Sequence, residues 1–189
     1  MSKLIITARA LDGERFAKSA LHSLGLNARS SGFRAVLIVE TDADILEAAK
    51  KIMHNCYRDI GRAVGVIEEV ESDDEKIKQK AIDVALAYIK ENESFSFRIH
   101  KRGGHRIASS TPELEYDVGG AIYTALEKKY QKKPSVNLKN PDITIIAEVL
   151  GESTCLGILR KDWLLCNTNI DIKSSAEKPS VAEYKEKTI

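Results

Sequence analysis

The run Phe95-Ser96-Phe97-Arg98-Ile99-His100-Lys101-Arg102 has a period of two, and this constrains the chain more than any other segment. In an extended strand Phe95, Phe97 and Ile99 fall on one side, while Ser96, Arg98, His100 and Arg102 fall on the other. Such a strand must lie in a sheet with one face on an apolar core, which leaves the cationic face free. Gly103-Gly104 then opens a loop carrying His105 and Arg106 next to Lys101. Clustered donors and glycine backbone amides suit an anion, and phosphate is the obvious candidate. The plainer alternative is that a solvated strand face needs polar residues of some kind.

The rest of the chain alternates strand and helix. Lys3–Arg9 reads as a short strand and Asp12–Gly25 as a helix with Phe16, Ala17, Ala20, Leu21 and Leu24 on its stripe, Asp12 as cap and Gly25 as stop. Phe33–Glu40 reads as a strand, with Asn27–Gly32 before it as a loop or a frayed strand. Thr41 or Asp42 caps a helix running to about Asp59, and Arg62–Glu71 reads as one further strand. This alternation favours a small sheet with helices on one face, of ferredoxin-like type.

The spacing of Ile77, Ala81, Val84, Ala85, Leu86, Tyr88 and Ile89 predicts a helix over Ser72–Glu91, opened by a Ser72/Glu75 capping box. Thr111-Pro112 opens another, to about Tyr130. Gly119-Gly120 interrupts it, and close packing of the helix backbone on the sheet is the first explanation. Admission of a ligand is the second. The alternation over Ile143–Val149 is apolar at most positions, as in a covered central strand, and Gly151-Glu152-Ser153 turns into a hairpin partner at Thr154–Leu159. We divide the chain into residues 1–71, 72–165 and a flexible tail at 166–189, and expect an α+β architecture.

With 43% hydrophobic and 30% charged residues, the chain can bury a core. Its net charge is only +1, so affinity for a polyanion has to come from a local patch. Between Val66 and Glu93 nine acids face four lysines, while between Ser96 and Lys139 nine bases face four acids. This split suggests a positive face with an anionic partner. Cys56, Cys155 and Cys166 are too widely spaced for a zinc or redox pair, and small buried hydrophobes is their expected role. No apolar run is long enough to span a bilayer and no signal peptide precedes Lys3, so a cytoplasmic setting is expected.

The chain contains no phosphate-loop, dinucleotide-binding, nucleophile-elbow or HExxH motif. His100 and His105 lack further ligands nearby, and His22 and His54 stand alone, so we assign no metal, cofactor or catalytic residue. The basic residues converge if the Pro112 helix packs over the strand at Phe95. Together they would make a patch of about eight cations and support about four to six phosphate contacts.

Phe95–Arg102, then Thr111-Pro112-Glu113-Leu114 with Val118-Gly119, then Val136-Asn137-Leu138-Lys139-Asn140-Pro141-Asp142 ahead of an apolar strand, resembles a THUMP domain. The likeness covers about residues 72–165, and the preceding residues are similar to the ferredoxin-like domain that accompanies THUMP. THUMP domains are RNA-binding modules of tRNA-modifying proteins. The resemblance therefore implies that Arg98, Lys101, Arg102 and the lysines near 130 contact RNA. With the other bases of this region the candidate set is Arg98, His100, Lys101, Arg102, His105, Arg106, Lys128, Lys129, Lys132, Lys133 and Lys139. The resemblance further implies a non-catalytic tRNA-binding adaptor with a tRNA cytidine acetyltransferase as partner, forming N4-acetylcytidine. An RNA- or nucleotide-modifying enzyme and a small-molecule-binding regulatory module are the alternatives.

Overall fold

A computed structural model describes residues 2–163. The expected tail at 166–189, including Cys166, lies outside these residues. The chain is a mixed α/β protein with two sheets. The first contains β1 (Ser2–Ala8), β2 (Ala28–Ser30), β3 (Val36–Thr41) and β4 (Ile60–Gly65) in the antiparallel order β2-β3-β1-β4. Its helices are α1 (Glu14–Ser23) and α2 (Ile45–Asn55). The second sheet contains β5 (Glu68–Glu71), β6 (Ser94–Arg102), β7 (Ser135–Val136), β8 (Ile143–Leu150) and β9 (Ser153–Arg160) in the order β5-β9-β8-β6-β7. It carries α3 (Asp74–Tyr88) and α4 (Thr111–Tyr130), and β9 ends in a 3-10 turn at Lys161–Trp163.

Strand β8 is the middle strand of five, parallel to β6 and antiparallel to β9. It is covered, and this accounts for its near-continuous apolar run. The expected single strand over Arg62–Glu71 is two strands in different sheets. Between them Val66 N–H donates to the Lys3 carbonyl at 2.9 Å and Ile67 N–H to the Leu156 carbonyl at 2.8 Å, so the chain steps from one sheet to the other.

Every helix starts at a cap one or more residues from the expected position. The carboxylate of Asp44, not Thr41 or Asp42, accepts from Leu46 and Glu47 N–H in α2. Asp73, not Ser72, caps α3, because the Ser72 hydroxyl is buried and bonded to the Thr154 hydroxyl at 2.9 Å. Ser110 caps α4 in a reciprocal box with Glu113, which leaves Thr111 and Pro112 inside the first turn. Each such cap contributes about 1 kcal/mol. In α1 no side chain caps Gly13, and Phe16 is exposed, since Ala17 and Leu21 take the buried face.

One apolar core runs through both units. The sheets meet at Gly157 on β9, where an added Cβ would collide with the Gly65 carbonyl oxygen. Cys56 and Cys155 are buried free thiols, and burial pushes the Cys155 thiol up to about 11.

Candidate nucleic-acid interface

Strand β6 organises the candidate residues. Phe95, Phe97 and Ile99 are buried in the same core as Leu114, Val118, Ile122 and Leu126 of α4, as the period of two requires. Fully burying a phenylalanine contributes about 1.5–3 kcal/mol. The opposite side is not free along its whole length. Glu148 on β8 is completely buried and accepts from Arg62 Nε of β4 at 3.1 Å and from Arg102 Nη1 of β6. His100 lies beside this cluster, and its pKa is held below the ordinary value by burial and by Arg62 and Arg102. The first unit therefore covers the carboxyl end of the strand face that was expected to stay open.

The glycine loop is also committed to structure. Gly103 has φ +75°, and an added Cβ there would lie 2.6 Å from the Phe33 ring of the first unit. Lys101 Nζ donates to the Ser109 carbonyl at 2.5 Å, and Asp74 accepts from Ala108 N–H at 2.8 Å, which fastens the loop to the start of α3. His105 is half-buried, with a buried Nδ1 that has no partner. Arg106 is exposed at a small cleft lined also by Glu71, Asp73 and Glu152, and it pairs with none of them.

The lysines at the end of α4 and beyond it do not join these residues. The twenty-residue helix is about 30 Å long. Lys128 and Lys129 sit in its last turn, while the Lys101–Ser109 contact precedes its first. Lys129 donates to the Leu86 carbonyl at 2.6 Å, and Lys132 to Asn92 Oδ1 at 2.8 Å with Glu91 at 3.6 Å. Arg98, midway, pairs with Glu115 at 2.9 Å and donates to the Leu138 carbonyl at 2.8 Å. Among the described candidates Lys128, Lys133, Lys139 and Arg106 are exposed and their side chains make no hydrogen bond or ion pair, and the three lysines stand apart from Arg106. They fall on one segment that leaves α4 and runs through β7. The expected single patch is thus two groups, and the group at the β6 carboxyl end is largely neutralised by carboxylates and carbonyls.

Sequence reasoning missed the partners of these cations. Arg62 and Glu148 form the buried cluster, and the signal was present in the one charge within the apolar run Ile143–Leu150. It also missed a groove of about 490 Å³ between α4 and the edge of β6, walled by Phe95, Phe97, Tyr116, Tyr123, Val136 and Leu138. Gly119 and Gly120 line it, and an added Cβ at either would meet nothing within 4 Å. Close packing on the sheet therefore does not explain these glycines, each of which costs about 1 kcal/mol against alanine in a helix.

A family model described as the THUMP domain matches residues 71–159, so this chain contains a THUMP domain, an RNA-binding module. An uncharacterized protein of Methanocaldococcus jannaschii is 32% identical over 127 residues, 67% of this chain and 31% of that protein. A crystal structure of a Pyrococcus horikoshii protein superposes with TM-score 0.58 at 20% identity, over 85% of this chain and 55% of that one. A 4-thiouridine synthetase–RNA complex with bound ATP does so with TM-score 0.54 at 15% identity, over 85% and 41%. The chain thus spans about a third of its curated relative and about half of these solved neighbours.

Proposed function

We propose that this chain, with its THUMP domain at residues 71–159, is a tRNA-binding accessory protein that holds tRNA for a separate modifying enzyme. The partner we propose is the cytidine acetyltransferase that forms N4-acetylcytidine. The observation that carries the reading is the THUMP domain, together with the unpaired side chains of Lys128, Lys133 and Lys139 on the stretch from the last turn of α4 to β8. A solved neighbour of the same fold is a thiouridine synthetase held with RNA, which supports a role in RNA modification. The first unit, which we read as ferredoxin-like from its β-α-β-β-α-β order and 2-3-1-4 sheet, is locked to the THUMP domain through Glu148 and sets a spacing along the tRNA. Recognition is mainly by shape and backbone, because the deep major groove of A-form RNA hides its base edges.

Filter binding of bulk tRNA over a salt series tests the RNA reading, with retention falling steeply as salt rises. Binding that is absent or insensitive to salt would overturn it. A second assay tests the accessory role. Purified protein with tRNA and acetyl-CoA yields N4-acetylcytidine only after the acetyltransferase is added, and product from the protein alone would make it an enzyme.

A further inference from the structure

We propose that the groove between α4 and the edge of β6 docks an extended, mostly apolar segment of a partner protein, which adds to β6 as a strand. The proposal stands apart from the RNA reading, because it uses different side chains of the stretch after α4 and different chemistry, apolar walls in place of lysines.

Strand β7 pairs only with Ser94 and Phe95, and its last contact is Asn137 N–H to the Phe95 carbonyl at 3.0 Å. At the other end the carboxylate of Glu115 takes the Ile99 N–H at 3.1 Å. Alternate residues of a strand in a parallel ladder bond to alternate neighbours, so Phe97 is the edge-directed residue that neither β7 nor Glu115 reaches. An open sheet edge of this kind is a template for an added strand, with backbone bonds giving affinity and side-chain pockets giving selectivity.

The walls fit an uncharged occupant. Tyr116 is 87% exposed, Leu138 61% and Val136 51%, and all three stand around the same groove. Its two charges, Arg98 and Glu115, neutralise each other, and Arg98 also spends donors on the Leu138 carbonyl. Among the lining residues no cation is left for a phosphate backbone, whereas apolar side chains gain by leaving water there. Gly119 and Gly120 keep side chains out of the helix wall beside Phe97 and have no packing role within the chain.

The test uses the full chain as bait for a phage-displayed library of linear peptides, counter-selected against Gly119→Leu. A leucine there fills the groove from a Cβ that meets nothing within 4 Å and favours the helix, and a melting curve checks that the variant folds. A second variant, Leu138→Asp, places a charge at the exposed rim. Selected peptides are expected to carry apolar residues at alternate positions and to bind both variants about tenfold or more weakly. N-methylation of their alternate amides should abolish binding in one register and spare the other. Failure to enrich any peptide over the Gly119→Leu background would overturn the proposal, as would binding indifferent to N-methylation. Loss of tRNA retention in Gly119→Leu would overturn it in favour of RNA in the groove, and a dimer that the variant dissociates would assign the groove to a second copy.

Discussion

Arg62 on the last strand of the first sheet donates to Glu148, wholly buried on the middle strand of the second, at 3.1 Å. Arg102 completes the cluster from the neighbouring strand β6. A buried carboxylate depends on counter-charges to offset its desolvation, and here they come from both units, so this contact ties the orientation of the two units to the order of β6.

Removing the shared acid should therefore cost more than removing one base. Glu148→Gln leaves both guanidiniums without a counter-charge and is expected to destabilise the chain by about 3 kcal/mol or more. Arg62→Met leaves Arg102 in place and should cost about 1–2 kcal/mol. Urea midpoints of both variants and of the double variant provide the comparison, and a double variant equal to the sum of the singles would remove the coupling.

Charge reversal at Arg102 should then act on folding before it acts on RNA. Arg102→Glu sets a second carboxylate against Glu148, and melting temperature should fall with it. Lys133→Glu and Lys139→Glu touch no partner and should leave melting unchanged while lowering the slope of tRNA affinity against salt by about one each. A filter-binding salt series on the three variants separates the two effects.

His100 makes stability depend on pH. Burial lowers its pKa below the ordinary 6.5, Arg62 and Arg102 act in the same direction, and Glu148 and Glu115 oppose them. The unfolded chain binds this proton more readily, so its contribution is complete above about pH 6.5 and is lost as pH falls through the folded value. Melting temperature should drop between about pH 7.5 and about pH 5.5 in the wild type and drop less in His100→Gln. The lowered carboxyls of Glu69 and Asp74, with ordinary values of 4.5 and 3.8, act at lower pH and stay out of this window.

Two glycines should respond in opposite directions to the same substitution. Gly119→Ala places a methyl in open space and should stabilise the chain by about 0.5–1 kcal/mol. Gly157→Ala drives a Cβ onto the Gly65 carbonyl where the sheets meet, and should cost about 2 kcal/mol or more. Chemical denaturation of both variants reads the difference in sign.

Local pattern made most elements legible. The period of two in Phe95–Arg102 and the apolar run at Ile143–Leu150 correspond to β6 and β8, and the stripe of α3 faces the core as read. The caps were missed by a residue or more, because Ser72 and Asp73, or Ser110 and Thr111, are equally good acceptors in sequence. Only burial of the Ser72 hydroxyl against Thr154 separates the first pair. The single strand over Arg62–Glu71 became two because a step between sheets leaves no mark on hydropathy.

Side-chain alternation, helix spacing and charge counts are properties of neighbours in the chain, so the sequence by itself determined where strands and helices lie and which residues carry positive charge. Whether each charge is free depends on residues far away in sequence. Glu148 claims Arg102, Glu115 claims Arg98 and the Ser109 carbonyl claims Lys101, while Lys128, Lys133 and Lys139 remain in solvent. Only the tertiary structure decided that, since an ion pair forms where the backbone brings two groups within a few ångströms and linear spacing does not encode that approach.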